Sequence, residues 1–288
     1  MGRRHPHQPF SPDMIAPFLD GRIVESAELF NNGKSNSNYH IKLSDGSEYV
    51  ARVYGAADID FEHYIHKIAR TVALVPDILF HTQQCAVLTY MPGETLGDAP
   101  QFAGKAAQAL TRLSSISFDS RGQIQTDGTI KPWPFGRIGG FVEIMLTNKE
   151  VIYWLGSERI EHIRTIMANE EKRLSELEDH TYFVHGDFNP YNILIHNGEV
   201  SAVLDWEFAH SGTPYMDIGN MLRNIDKQYH DAIYDGLVAG GMEVPADWKE
   251  RAQLVDLGSQ LQFLTYNKPV ESKQRCISRV DRFIKTFL

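Results

Sequence analysis

The stretch Tyr182 to Glu207, YFVHGDFNPYNILIHNGEVSAVLDWE, constrains this chain more than any other. Phe183-Val184, Asn192 to Ile195 and Val200 to Leu204 are short runs rich in β-branched or large apolar residues, the composition of strands. Asp187, Asn192 and Asp205 fall where those strands meet loops. A carboxylate that can take a proton, an amide oxygen and a second carboxylate that can bind a hard cation are the groups that phosphoryl transfer with Mg²⁺ requires.

Upstream, the pattern is that of a strand meander. Ile23 to Phe30, Asn38 to Leu43 and Tyr49 to Tyr54 read as strands, with hairpin chemistry at Asp45-Gly46 because that pair favours positive φ. Residues 1 to 20 hold Pro6, Pro9, Pro12 and Pro17 with no sustained period, so an irregular arm is expected there. Asp58 to Ala73 carries apolar residues at near-helical spacing with Glu62 in its first turns. Two more strands follow at Ile78 to Phe80 and Ala86 to Tyr90, ended by Met91-Pro92-Gly93. Beyond Gln101 the period is helical: Phe102 to Ile116, Gly136 to Thr147, Ser157 to Leu177, a helix opening at Asp217, one starting at Asp247 with the look of a capping box, and a last amphipathic helix. Residues 117 to 135 form a long loop, the kind of segment that is more often functional than filler.

HGDFNPYN followed by LDWE resembles the catalytic and metal-binding segments of the aminoglycoside phosphotransferase and choline kinase family, small-molecule kinases with the protein-kinase fold. The resemblance implies a two-lobed α+β fold with residues 1–91 as an antiparallel nucleotide-binding lobe, residues 92–288 as a helical lobe, and nucleotide in the cleft between them. It implies Asp187 as the catalytic base, Asn192 and Asp205 as Mg²⁺ ligands, and Arg52, oriented by Glu62, as the cation on the nucleotide phosphates. Ser35, Asn36 and Ser37 stand where the family's phosphate loop lies, Thr89, Tyr90 and Met91 where its backbone meets the adenine edge. Asp217 in YMDIGN is expected to hold backbone groups of the catalytic loop, and Trp206 to pack in the place of the kinase Phe. Glu207 is a candidate for a second metal or a cationic substrate, with a loop salt bridge as the alternative. His185 is read as structural, and Lys42, a rival phosphate ligand by type, lies on the wrong strand.

The expected activity is ATP-dependent transfer of a phosphoryl group to a hydroxyl of a small, cationic acceptor, either an aminoglycoside-like antibiotic or an amino alcohol such as choline. GTP stays open beside ATP. A protein kinase is disfavoured by the short span from Asp205 to Asp217 and the lack of an APE motif, and a catalytically silent nucleotide-binding protein by the intact Asp187, Asn192 and Asp205. The formal net charge of -9 argues against a nucleic-acid partner. No apolar run of membrane-spanning length and no apolar leader segment is present in the sequence, so a cytoplasmic protein is expected. Cys85 and Cys276 are far apart in the chain and are expected as free thiols.

Overall fold

The computed structural model describes residues 6–30, 36–55 and 59–288. Residues 6 to 19, expected as irregular, contain a 3-10 turn at Pro12–Ile15 that runs into the short helix α1 (Ala16–Leu19). Pro12 and Pro17 stand at first or second helical positions, where the missing N–H has no intrahelical partner to lose. Met14, Ile15 and Phe18 thereby join the apolar core, and this burial is what a reading based on local period overlooks.

Strands β1 (Val24–Leu29), β2 (Ser37–Leu43) and β3 (Glu48–Val53) form the meander, α2 (Ile59–Ala69) follows, and β4 (Ile78–His81) and β5 (Cys85–Thr89) complete an antiparallel sheet in the order β1-β2-β3-β5-β4. Side chains alternate across its faces. One face buries Ile41, Leu43, Ala51, Val53, Cys85 and Val87 under the N-terminal segment. The other carries Val50, Ala86 and Leu88 against Tyr54 and Ile59.

Strand β6 (Glu94–Thr95) precedes α3 (Ala103–Thr111), the two-residue strands β7 (Gln123–Ile124) and β8 (Ile130–Lys131), and helices α4 (Ile138–Leu146), α5 (Lys149–Asn169) and α6 (Glu171–Glu178). Gly156, non-helical at φ +72°, interrupts α5, so its second part begins at Ser157 as expected; the helix expected to run on to Leu177 is instead broken at Glu170, after which α6 follows. Then come β9 (Tyr182–Val184), β10 (Ile193–His196), β11 (Glu199–Val203), β12 (His210–Gly212), α7 (Tyr215–Asn224), α8 (His230–Ala239), α9 (Trp248–Thr265) and α10 (Val270–Phe287). Asp247 does not cap α9; its carboxylate binds Arg251 and Arg173, whose guanidinium charge outbids a neutral backbone donor.

The chain divides into two compact units, Met1–Thr95 with Ile193–Glu207, and Leu96–Asn192 with Phe208–Leu288. The expected split at residues 91 and 92 leaves the β10–β11 hairpin with the helical part, whereas here it pairs with β6 through Leu194–Thr95 and Ile195–Glu94 and belongs to the first unit. The second unit has its apolar core among α4, α5, α6, α9 and α10. Its α3 and α8 cross at Gly104 and Gly236 so closely that a Cβ on Gly236 would lie 2.1 Å from the Gly104 carbonyl oxygen.

Candidate active site

In the first unit β2 and β3 place Asn38 opposite Arg52. Arg52 donates from Nε to Asn38 Oδ1 at 2.9 Å and from Nη1 to Glu62 Oε1. Glu62 is buried and Arg52 largely so, so the charges are worth more to each other than at a surface and each would be costly alone. Burial opposes the guanidinium charge, but Glu62, Tyr54, Asp205 and Glu207 raise its pKa above the usual value, so Arg52 sits in the field of the DWE loop. Asp205 itself has φ +65°, a left-handed conformation that few non-glycine residues adopt. Trp206 is buried and donates from Nε1 to the Val203 carbonyl at 3.0 Å, which fits the packing role expected for it.

His40, two residues along β2 from Asn38, stacks on Tyr90 with ring centroids 4.4 Å apart, and Phe30 stacks on His40 at 6.1 Å. The Thr89 N–H is taken by the Asp77 carbonyl. No hydrogen bond among the described residues engages the backbone N–H of Tyr90 or Met91. Asn36 accepts from the Gly55 N–H at 3.4 Å. Ser37 is fully buried and its hydroxyl accepts from the Gln8 N–H, so its side chain faces the N-terminal segment. Ser35 lies outside the described residues. Lys42 pairs with Glu48, away from Arg52's partners.

Residues Leu74 to Asp77, between α2 and β4, reach three of these elements. The Leu74 carbonyl accepts from Val203 N–H at the end of β11, the Pro76 carbonyl lies 3.2 Å from His66 Nδ1 on α2, and Asp77 exchanges backbone and side-chain hydrogen bonds with Thr89.

In the second unit the loop after β9 is held by its backbone. Asp217, 1% exposed at the start of α7, accepts from the N–H groups of His185 and Gly186, both at 2.8 Å. Burial pushes its pKa up to about 7 against the pull of those N–H groups and that of Phe188. Gly186 has φ +81°, and a Cβ there would meet the Phe208 carbonyl oxygen at 2.3 Å, so only glycine allows this turn. Buried His185 accepts from Asp187 N–H through Nδ1, a turn-closing role that agrees with the structural reading. Asn192 donates from Nδ2 to both the Asp187 carbonyl, at 2.9 Å, and its carboxylate, at 3.2 Å. Its Oδ1, the atom a hard cation would take, receives no donor among the described residues.

The structure therefore brings Arg52 and Glu62 together in the first unit, with Asp205 and Glu207 in electrostatic reach, and Asp187 with Asn192 in the second. Three supporting groups escape a motif-based reading. Asn220 donates to the Gly186 carbonyl and accepts from Arg223, which also pairs with Asp256 on α9; the signal was the D-x-x-N spacing within YMDIGN. His66 follows Glu62 at i+4, one helical turn away. The Phe30–His40–Tyr90 stack depends on pairing across strands and leaves no local trace.

The chain is 27% identical over 240 residues to the hygromycin-B 4-O-kinase of Escherichia coli, covering 73% of this chain and 67% of that one. Among solved structures, a putative fructosamine-3-kinase from Thermobifida fusca matches with TM-score 0.69 at 15% identity, over 96% of this chain and 100% of the other. An aminoglycoside phosphotransferase in ternary complex with AMP-PNP and hygromycin B matches with TM-score 0.64 at 16% identity, over 96% and 99%. At such identities the structural matches establish the fold alone, the protein-kinase-like α+β fold of aminoglycoside phosphotransferases. The model of the phosphotransferase enzyme family matches residues 26–254, and the chain belongs to that family.

Proposed function

We propose that this phosphotransferase moves the γ-phosphoryl group of ATP to a hydroxyl of a small cationic acceptor. The observation that carries the reading is the Asp187 loop: Asp217 fixes its backbone while Asn192 folds back onto the Asp187 carboxylate. In this reading Asp187 orients the acceptor hydroxyl and takes its proton as the O–P bond forms and the bond to the departing ADP breaks. Arg52, held by Glu62 and Asn38, binds the nucleotide phosphates, and the His40–Tyr90 stack beside the open N–H groups of Tyr90 and Met91 offers the base a flat face and a hydrogen-bonding edge.

Asn192 and Asp205 supply only oxygen donors, which suits Mg²⁺, and Asn192 Oδ1 is turned away from its own hydrogen bonds. Bound with the nucleotide, the ion would neutralise phosphate charge. Glu207, close enough to Arg52 to act on its charge, remains the candidate for a second ion or a cationic acceptor.

The hygromycin-B 4-O-kinase relative and the net charge of -9 favour a hydroxylated, polycationic acceptor over a simple amino alcohol. The test is a coupled ADP-release screen over aminoglycosides, choline, ethanolamine and hydroxy amino acids, with Asp187→Ala as the control. Acceptor-dependent turnover that disappears in the control supports the assignment. Background turnover across the panel, with Mg-ATP still bound, would leave a silent nucleotide-binding protein instead.

A further inference from the structure

The Arg52–Glu62 pair has a third member that no motif names. His66 is 4% exposed and sits one turn after Glu62 on α2. A carbonyl can only accept, so the contact with the Pro76 oxygen at 3.2 Å puts a proton on His66 Nδ1. In the neutral ring this leaves Nε2 with its lone pair, and Nε2 lies 3.6 Å from Glu62 Oε1, the same oxygen that binds Arg52. A lone pair facing a carboxylate gives Glu62 no hydrogen bond on that side.

We propose that His66 is a positioning residue for the phosphate-binding arginine: its Nδ1–H ties α2 to the Pro76 carbonyl and so sets Glu62 towards Arg52, while its neutral Nε2 offers Glu62 no donor that would compete for Oε1. The inference rests on the phosphate role given above to Arg52. Protonation would reverse the effect, because Nε2–H then donates to Oε1 and competes with Arg52 for it. The charged and titratable groups around the ring are Glu62 and His63 on α2 and Arg52 on β3. Burial, Arg52 and His63 lower the pKa of the ring, while Glu62 and the Pro76 carbonyl work the other way; the outcome is a lowered pKa.

The geometry also states which substitutions should restore function. In His66→Leu both nitrogens are gone. His66→Asn returns an N–H near the Nδ1 position for the Pro76 carbonyl and presents nothing that titrates. His66→Gln reaches the Nε2 position with an amide that donates to Glu62 at every pH, mimicking the protonated ring.

The test is the Kd of the full-length chain for Mg-AMP-PNP by calorimetry, for wild type and the three variants, at about pH 7.5 and about pH 5.5, either side of the ordinary histidine value. At the higher pH, His66→Leu should bind about tenfold more weakly than wild type, His66→Asn should recover most of that loss, and His66→Gln should remain weak. On acidification wild type should lose affinity relative to His66→Asn. Wild-type affinity in His66→Leu, or a His66→Asn variant as weak as His66→Leu, overturns the proposal, as does an identical pH dependence in wild type and His66→Asn. Arg52→Ala separates the two readings. If it binds like wild type, the phosphate role has failed; if it binds weakly while the His66 variants do not, only the role of His66 has.

Discussion

The two units hold their candidate functional residues by opposite means. In the first, a functional side chain is itself gripped: Arg52 is bound by Asn38 and Glu62, and Glu62 is flanked by His66. In the second, the backbone is gripped and the functional side chain is left lightly held: Asp217 and Asn220 bind main-chain groups of His185 and Gly186, while the Asp187 carboxylate receives a hydrogen bond from Asn192. The difference suits the proposed roles. A cation that binds phosphates gains from being pre-aimed, since no ordering is left to be done on binding. A base must change its partner during the reaction, so its loop is fixed and its carboxylate is not.

The largest effect that would break this contrast is at Asp187. Asp187→Ala should lower turnover by about 10³-fold or more while Mg-nucleotide affinity stays within about twofold, measured by ADP release and by calorimetry. Asp217→Ala comes next, and acts on stability. It leaves two N–H groups unpaired in the interior, so denaturant unfolding should show a loss of about 2–5 kcal/mol together with lost activity. A stable, active Asp217→Ala chain would mean that the backbone grip is dispensable. Glu62→Gln should show the converse pattern, with Mg-AMP-PNP affinity about tenfold weaker.

Smaller and opposite responses to pH should sharpen the contrast. Asp217 has a folded pKa raised from 3.8 to about 7, so its contribution is fully present below the lower value and is lost as pH climbs between the two. His66 has a folded pKa lowered from 6.5, so the unfolded chain takes the proton first and stability falls as pH drops below that value. Unfolding midpoints followed across this range should fall less steeply toward high pH in Asp217→Asn, and less steeply toward low pH in His66→Asn. The smallest change is expected outside both clusters. Asp247→Ala, which removes partly exposed ion pairs and no helix cap, should cost within about 1 kcal/mol.

Much of the strand and helix order was legible because alternation and helical spacing are local properties. Glu62 and Asp217 are singled out through the family resemblance and not through local spacing, and the structure gives them the partners expected, Arg52 and the His185-Gly186 backbone. What was not legible depends on distant partners. The β10–β11 hairpin follows the Asp187 loop directly in the chain, yet its pairing with Glu94–Thr95 assigns it to the other unit. The proline-rich start looked irregular because its order comes from the sheet it covers. Asp247 has the spacing of a capping box, but two arginines from other turns claim it. Acceptor recognition has no fixed spacing to betray it.

The short segment Leu74 to Asp77 has a consequence for how such a chain can vary. It meets the end of β11 at Leu74, His66 at Pro76 and Thr89 at Asp77, three elements bound within four consecutive residues. Inserting or deleting one residue there would shift at least two of these meetings out of step. Relatives of this protein should therefore keep their residue count at this place.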